Sequence, residues 1–403
     1  MGKEKFADFA RLHASPCKGL IAGRIEASIR EMNLTTSCYG TWSGGRFMHY
    51  GEMVSEERWV DLVKLAFESG VRTFVTADAY GAGKADEMLG KALEGIPRED
   101  YCLVGMVGHD FYKGKRQGSS GYPRFTNPDL HQEKEYAAYL RMACEKSLER
   151  CQTNHFDLLM LHNPDEAGYT KDSVWEGMRR LKDEGLTERL GIAPGPANGF
   201  TLDLLHCFEH YEEVMDWAMI ILNPLEPWPG QHVLGGAEKH GVDLLTRVVD
   251  YGGLFWGDML PGHEFKPGDH RAYRPDGWVD HGWEKWEKMR PLAEKHGLSP
   301  IQFAAIWNLS HGPVKSVVPT IIQEAHGEAK AAEEKIKELG ALPELRFTAK
   351  ELEEVRAIGD NTGCMKLKGA SQRHDGPCER PDEWPMRPEL LEVADAFGVG
   401  REW

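Results

Sequence analysis

Eight short apolar runs, each parted from the next by a longer polar or amphipathic stretch, predict an α/β chain folded as a (β/α)8 TIM barrel. The runs are Thr35–Tyr39, Thr73–Ala77, Tyr101–Val107, Asp157–His162, Arg189–Ala193, Ala218–Asn223, Val242–Val248 and Lys315–Pro319. They are rich in Val, Ile, Leu and Thr and lack a clean period of two, which is how strands covered on both faces read. Helical start and stop signals lie between them. Ser55-Glu56-Glu57 opens a segment with Val60, Leu62, Val63 and Phe67, and Gly70 closes it. Asp172-Ser173 opens another, with Trp175, Met178 and Leu181 in helical phase up to Gly185. A doubly wound open sheet is the other architecture that such alternation allows. The count of eight favours the closed barrel.

The chain has 403 residues, 41% hydrophobic and 28% charged, enough to bury one large core. Its expected organisation is an N-terminal segment over 1–33, a catalytic barrel over 34–359 and a C-terminal arm over 360–403 that packs on the barrel. Residues 261–290 are rich in Gly, Pro and Asp and carry Trp278, Trp283 and Trp286. They read as a long loop after strand seven, and long barrel loops are commonly active-site walls. The three tryptophans are expected to form a small satellite core rather than to stack on substrate.

Asp and Glu outnumber Lys and Arg by 64 to 48, a formal charge of -16. Such a field repels phosphate backbones and anionic lipid surfaces, so the expected partner is a small molecule, not nucleic acid or membrane. Oligomeric state is left open. Eight scattered cysteines form no C-x-x-C pair. The charged start Met1-Gly2-Lys3-Glu4-Lys5-Phe6 lacks an apolar leader, and no run of eighteen apolar residues exists. A reduced, cytoplasmic protein is expected. Gly81-Ala82-Gly83-Lys84 lacks P-loop spacing, and His206 and His210, four apart, are expected at a solvated helix surface; no metal is expected.

The most specific segment runs Thr76-Ala77-Asp78-Ala79-Tyr80-Gly81, then Asp86-Glu87-Met88-Leu89-Gly90-Lys91-Ala92-Leu93. The second is Phe156-Asp157-Leu158-Leu159-Met160-Leu161-His162-Asn163-Pro164-Asp165. Arg189-Leu190-Gly191-Ile192, Asn223-Pro224-Leu225, and Arg247-Val248 followed by Gly252-Gly253-Leu254 come later in the chain. Together these segments resemble the aldo/keto reductase superfamily, in order, across roughly residues 35 to 320. The resemblance implies an NADP-dependent oxidoreductase acting on a small polar carbonyl or sugar-like compound. Tyr80 and His162 take the positions of the family's catalytic Tyr and His. In the family a Lys, held by an Asp, lowers the phenol's pKa from its ordinary value near 10 so that it donates a proton well.

Here those two positions depart: the Asp position is Val75 and the Lys position is Met106. Losing both members of an ion pair leaves no stranded charge, but it takes from Tyr80 its expected cation. The Ser and Asn that hold the nicotinamide carboxamide in the family fall on Ala193 and Pro194, and the Gln that helps them falls on Met219. Where the family clamps the 2′-phosphate, Pro319-Thr320 leads to Glu324, an acid that would repel it. Asn223, Arg247 and Thr320 are the residues left to meet a cofactor. Asp78, Met106, His109, Asp110, Asn163, Glu226 and Arg247 are candidates to support Tyr80 and His162. Rim acids Asp165 and Asp250 are ordinarily caps or loop acceptors. A lyase, isomerase or hydrolase using the same acid–base groups without nicotinamide is the alternative reading, and a non-catalytic binding barrel is a further one.

Overall fold

The computed structural model describes residues 32–117, 121–195, 200–364 and 387–398. Eight strands form one parallel sheet in sequence order: β1 (Cys38–Gly40), β2 (Thr73–Val75), β3 (Cys102–Val107), β4 (Phe156–His162), β5 (Thr187–Ala193), β6 (Trp217–Ile221), β7 (Asp243–Arg247) and β8 (Val314–Val318). β8 returns to β1 through a parallel bridge from Ser37 to Val317, with Val317 N–H donating to Thr36 O at 3.0 Å. Each predicted run overlaps one strand, and β1, β4, β5, β6 and β8 extend one or two residues beyond their runs. The ladder also continues past β2, where Thr76 and Asp78 N–H donate to Val104 O and Met106 O.

Helices cover the outside: α1 (Glu56–Glu68), α2 (Lys84–Leu93), α3 (Tyr136–Arg150), α4 (Glu166–Thr170), α5 (Asp172–Asp183), α6 (Thr201–His210), α7 (Gln231–His240), α8 (Trp278–Lys295), α9 (Pro300–Leu309), α10 (Ala332–Gly340) and α11 (Ala349–Gly359). Their starts are written in the sequence. Ser55 Oγ accepts from Arg58 N–H, with Glu56 and Glu57 in the first turn of α1. Ser299 with Gln302, and Thr348 with Glu351, form reciprocal capping boxes at α9 and α11. Among the described residues no helix is long and apolar enough to cross a membrane.

Two apolar cores follow from this layering. One lies between strands and helices. The other fills the barrel and holds Val75, Val104, Met106, Leu158, Met160, Ala193, Met219 and Leu245. Val75, Met106 and Met219 are all part of this packed apolar surface.

The expected loop over 261–290 is corrected in its second half. Residues 278–295 form an 18-residue helix, α8, whose Gly282, His281 and Pro291 hide the helical period. Its tryptophans join the core between strands and helices and form no satellite of their own among the described residues: Trp278 stacks on Phe265, Trp286 packs edge-on to Phe255 and Phe303, and Trp283 donates to Met259 O at 2.6 Å. Residues 1–31, most of the expected N-terminal segment, and 365–386 of the expected arm lie outside the described residues. Further on, α12 (Pro388–Ala396) packs against α6, burying Leu390, Val393 and Ala394, and Arg387 pairs with Asp203 at 3.0 Å.

Candidate active site

Parallel strands end together, so residues that follow β2, β3, β4 and β7 share one rim. After Asp78 the chain turns, and Gly81 (φ +60°) allows it to pass Phe47, whose ring an added Cβ would meet at 2.6 Å. This turn sets the Tyr80 ring beside His162, with centroids 5.6 Å apart and planes nearly perpendicular. Trp42, from the β1 loop, packs edge-on against the other side of Tyr80 at 6.1 Å. Gly108 lets the end of β3 approach β4: a Cβ there would stand 2.7 Å from His162 O. The approach brings the His109 ring within 5.1 Å of His162.

Hydrogen bonds fix the tautomer of His109. Nδ1 lies 2.8 Å from Tyr122 O, a pure acceptor, so Nδ1 carries the proton. Nε2 then accepts from Asn163 Nδ2 at 3.2 Å. Asn163 sits at φ +46°, a conformation Asn tolerates, and its Oδ1 faces Gly195, where any Cβ would lie 2.6 Å from that oxygen and 2.7 Å from Arg247 Nη2. Arg247 ends β7 and donates Nη2 to Pro194 O at 2.9 Å. The next residue, Val248, sits at φ +62°, a strained setting for a β-branched side chain.

Burial sets the protonation states. It drives the His162 imidazole well below its ordinary range, helped by His109, Arg124 and Arg247. Its Nδ1 has no hydrogen-bond partner among the described residues. His109 is brought down to about 4, by burial first and Arg124 second. The Tyr80 phenol is pushed up to about 12 by burial, against the charge of Arg247. Two neutral imidazoles and a protonated phenol therefore share the rim at neutral pH. Arg247, one of the supporting candidates, is desolvated and faces Tyr80.

The sign for stability follows. Unfolded His109 takes up its proton near 6.5 and folded His109 near 4, so the unfolded state binds more protons between these values. Its contribution is lost as pH falls through that window. An NMR titration of the His109 ring is expected to show a midpoint near 4; a midpoint at or above 6.5 contradicts this environment.

The structure thus brings together Tyr80, His162, His109, Asn163 and Arg247, and it sets the other candidates elsewhere. Asp78 is fully buried behind the rim, and burial followed by Asp86 drives its carboxyl well above the usual range. Asp86, tied to Thr76 and Ser147 at 2.7 Å each, is raised to about 6. Asp110 accepts from Tyr112 and Lys113 N–H and meets His131 Nε2 at 2.7 Å, which builds the loop after β3. Asp165 caps α4, and Asp250 accepts from Thr320 N–H. Met106 lies in the barrel's apolar filling. Glu226 is buried and receives Asn223 Nδ2 at 3.0 Å. Sequence reasoning missed Trp42, which packs on Tyr80, Tyr50, which acts on the Tyr80 phenol, and Arg274, which acts on Tyr50; all three lie in loops with no motif of their own.

NADP as the resemblance would hold it does not fit these residues. Ala193 and Met219 offer no group for a carboxamide, and Pro194 O is taken by Arg247. The Asn223 amide is spent on Glu226, Val248 O and the Leu225 and Glu226 N–H groups. Thr320 Oγ1 accepts from Trp42 Nε1, and Thr320 O accepts from Trp256 Nε1. Glu324 is buried and gripped by Arg271 at 2.5 and 2.9 Å, while Arg271 also binds Asp269 at 2.7 Å. One cation between two carboxylates leaves a net negative charge where a 2′-phosphate would need a positive one.

An eight-stranded parallel barrel with a Tyr–His pair on its strand-end rim defines an enzyme-type (β/α)8 barrel. The profile of the "Aldo/keto reductase family" matches residues 38–358. The chain is 26% identical over 278 residues to "Probable aldo-keto reductase 1" from Glycine max, covering 67% of this chain and 72% of that one. Among solved structures it is similar to the glycerol dehydrogenase of Gluconobacter oxydans (TM-score 0.63, 23% identity, 81% of this chain and 91% of that chain). It is also similar to an aldo/keto reductase from Klebsiella pneumoniae in complex with NADP and acetate (TM-score 0.56, 18% identity, 81% and 91% covered). This chain belongs to the aldo/keto reductase family.

Proposed function

We propose that the chain is an aldo/keto reductase-type oxidoreductase acting on the carbonyl group of a small polar molecule, with Tyr80 and His162 addressing the carbonyl oxygen. The observation that carries this reading is their edge-on approach at 5.6 Å on the rim, with Arg247 alongside. Tyr80 keeps its proton across neutral pH and donates a hydrogen bond to the oxygen. Neutral His162 gives a second donor from one ring nitrogen, and Arg247 stabilises negative charge that develops on the oxygen. His109 and Asn163 hold the wall beside His162. Because neither imidazole titrates in its ordinary range, the pH–rate profile is expected to show no inflection near 6.5. Cys38, Cys102, Cys144, Cys151 and Cys207 are buried thiols, which supports the cytoplasmic setting expected from their spacing.

Nicotinamide dinucleotides supply hydride in this reaction class, and the Klebsiella pneumoniae relative binds NADP. The acidic Arg271–Glu324–Asp269 cluster speaks against a 2′-phosphate, so NADH is expected to bind more tightly than NADPH. A ligand at one hundred times its Kd stabilises by about 2.7 kcal/mol, which a thermal-shift titration reads directly. No shift with either dinucleotide overturns the redox reading. It would favour the second one, proton transfer on the same carbonyl without nicotinamide, for which the apolar replacements at Val75, Met106 and Met219 speak.

A further inference from the structure

Two guanidinium groups without carboxylate partners among the described residues act on one phenol, Tyr50, at the mouth of a strongly acidic chain. Arg247 has one hydrogen-bond acceptor, Pro194 O at 2.9 Å, and no carboxylate within ion-pair distance among the described residues. The Arg274 side chain has neither a hydrogen-bond acceptor nor a carboxylate among the described residues, and its Nε is buried. Neighbouring loop arginines are paired: Arg46 with Glu56 at 3.0 Å, and Arg271 with Asp269 and Glu324. The contrast selects Arg247 and Arg274.

Loop contacts seat the segment that carries Arg274 against Tyr50, on whose phenol Arg247 also acts. Gly51 N–H donates to Asp269 Oδ2 at 2.8 Å, and His270 N–H donates to His49 O at 2.9 Å, seating residues 269–274 against 49–51. The Tyr50 ring lies 5.9 Å from the His270 ring, and both Arg274 and Arg247 act on the Tyr50 phenol. Arg247 also faces Tyr80 and His162. Arg124, whose Nε donates to Asn163 O, adds positive charge on the far side of His162. A desolvated guanidinium without an anion is costly, and its planar fork matches a carboxylate or phosphate that arrives with a ligand.

We propose that the substrate carries a carboxylate beside its carbonyl, as in a short oxo acid or a sugar acid, and that Arg247 and Arg274 hold the carboxylate while Tyr80 and His162 address the carbonyl. The inference rests on the carbonyl reading above and names its substrate class. It also explains how a chain of charge -16 attracts an anion, since the local field at the mouth is opposite to the global one.

Calorimetric titration of the full chain with matched pairs tests it: pyruvate against hydroxyacetone, and glucuronate against glucose. The carboxylate member is expected to bind at least about tenfold more tightly, and Arg247→Gln and Arg274→Gln should each remove most of that preference. Equal affinity within the pairs, no binding of either member, or a preference surviving in both variants overturns the inference. So does a result in which the variants weaken NADH and leave the carboxylate preference untouched, which would assign the arginines to dinucleotide phosphates. A carboxylate preference without any dinucleotide binding supports the inference and sinks the redox reading alone. Turnover of hydroxyacetone without a carboxylate preference does the reverse.

Discussion

Replacing Tyr80 with Phe is expected to lower turnover of a carbonyl substrate by about 10²–10⁴-fold, the usual worth of a positioned proton donor, while the fold stays intact. The substitution removes one oxygen and leaves the ring that packs on Trp42 and His162. Phenol and imidazole sit at the strand-end rim, and Tyr80 is protonated up to about pH 12, so it acts as a donor and not as a base. His162→Gln, which keeps most of the volume, is expected to fall in the same range. An unchanged melting temperature separates lost chemistry from lost structure. Turnover retained in both variants would remove this rim from catalysis.

The second large effect is on stability. Arg271→Met is expected to cost about 3–5 kcal/mol, because it strands two buried carboxylates at once. Arg271 is 2% exposed and binds Asp269 and Glu324, and Asp269 in turn holds Gly51 N–H in the loop after β1. The guanidinium therefore ties the β7 loop, the β8 loop and the β1 loop into one unit around the mouth. Adding Glu324→Gln to Arg271→Met should recover part of the loss by removing one of the two stranded charges. Urea unfolding measures both. A loss under about 1 kcal/mol, the range of exposed pairs, would show that the cluster is hydrated and not structural.

The barrel was legible because strands buried on both faces leave unbroken apolar runs. Phe156–His162 is buried at every position, and the sequence shows it. The helix over 278–295 was not legible, since its Gly282 and Pro291 resemble loop punctuation and only tertiary packing of Trp278 and Trp286 overrides them. At the site, Tyr80 and His162 carry local motifs. Arg247 lies in a segment of its own, but its approach to Tyr80 was not legible, because it reaches the phenol from a strand 167 residues away in the chain, 247 less 80. Glu324 was recognisable as an acid in the wrong place for a phosphate. Its partner Arg271, 53 residues earlier, was not, because no local pattern reports a long-range ion pair. Asp78 read as a rim acid from its place at a strand end, yet its carboxyl faces Asp86 behind the rim.

The pairing of phenol and imidazole on one carbonyl is tested most directly by kcat/KM for Tyr80→Phe, His162→Gln and the double variant. Donors that act on a single oxygen are grossly non-additive, so the double variant is predicted to be no more than about tenfold worse than the poorer single one. Losses that multiply in full, or a double variant as active as the unmodified protein, would show that the two side chains do not serve one reacting group.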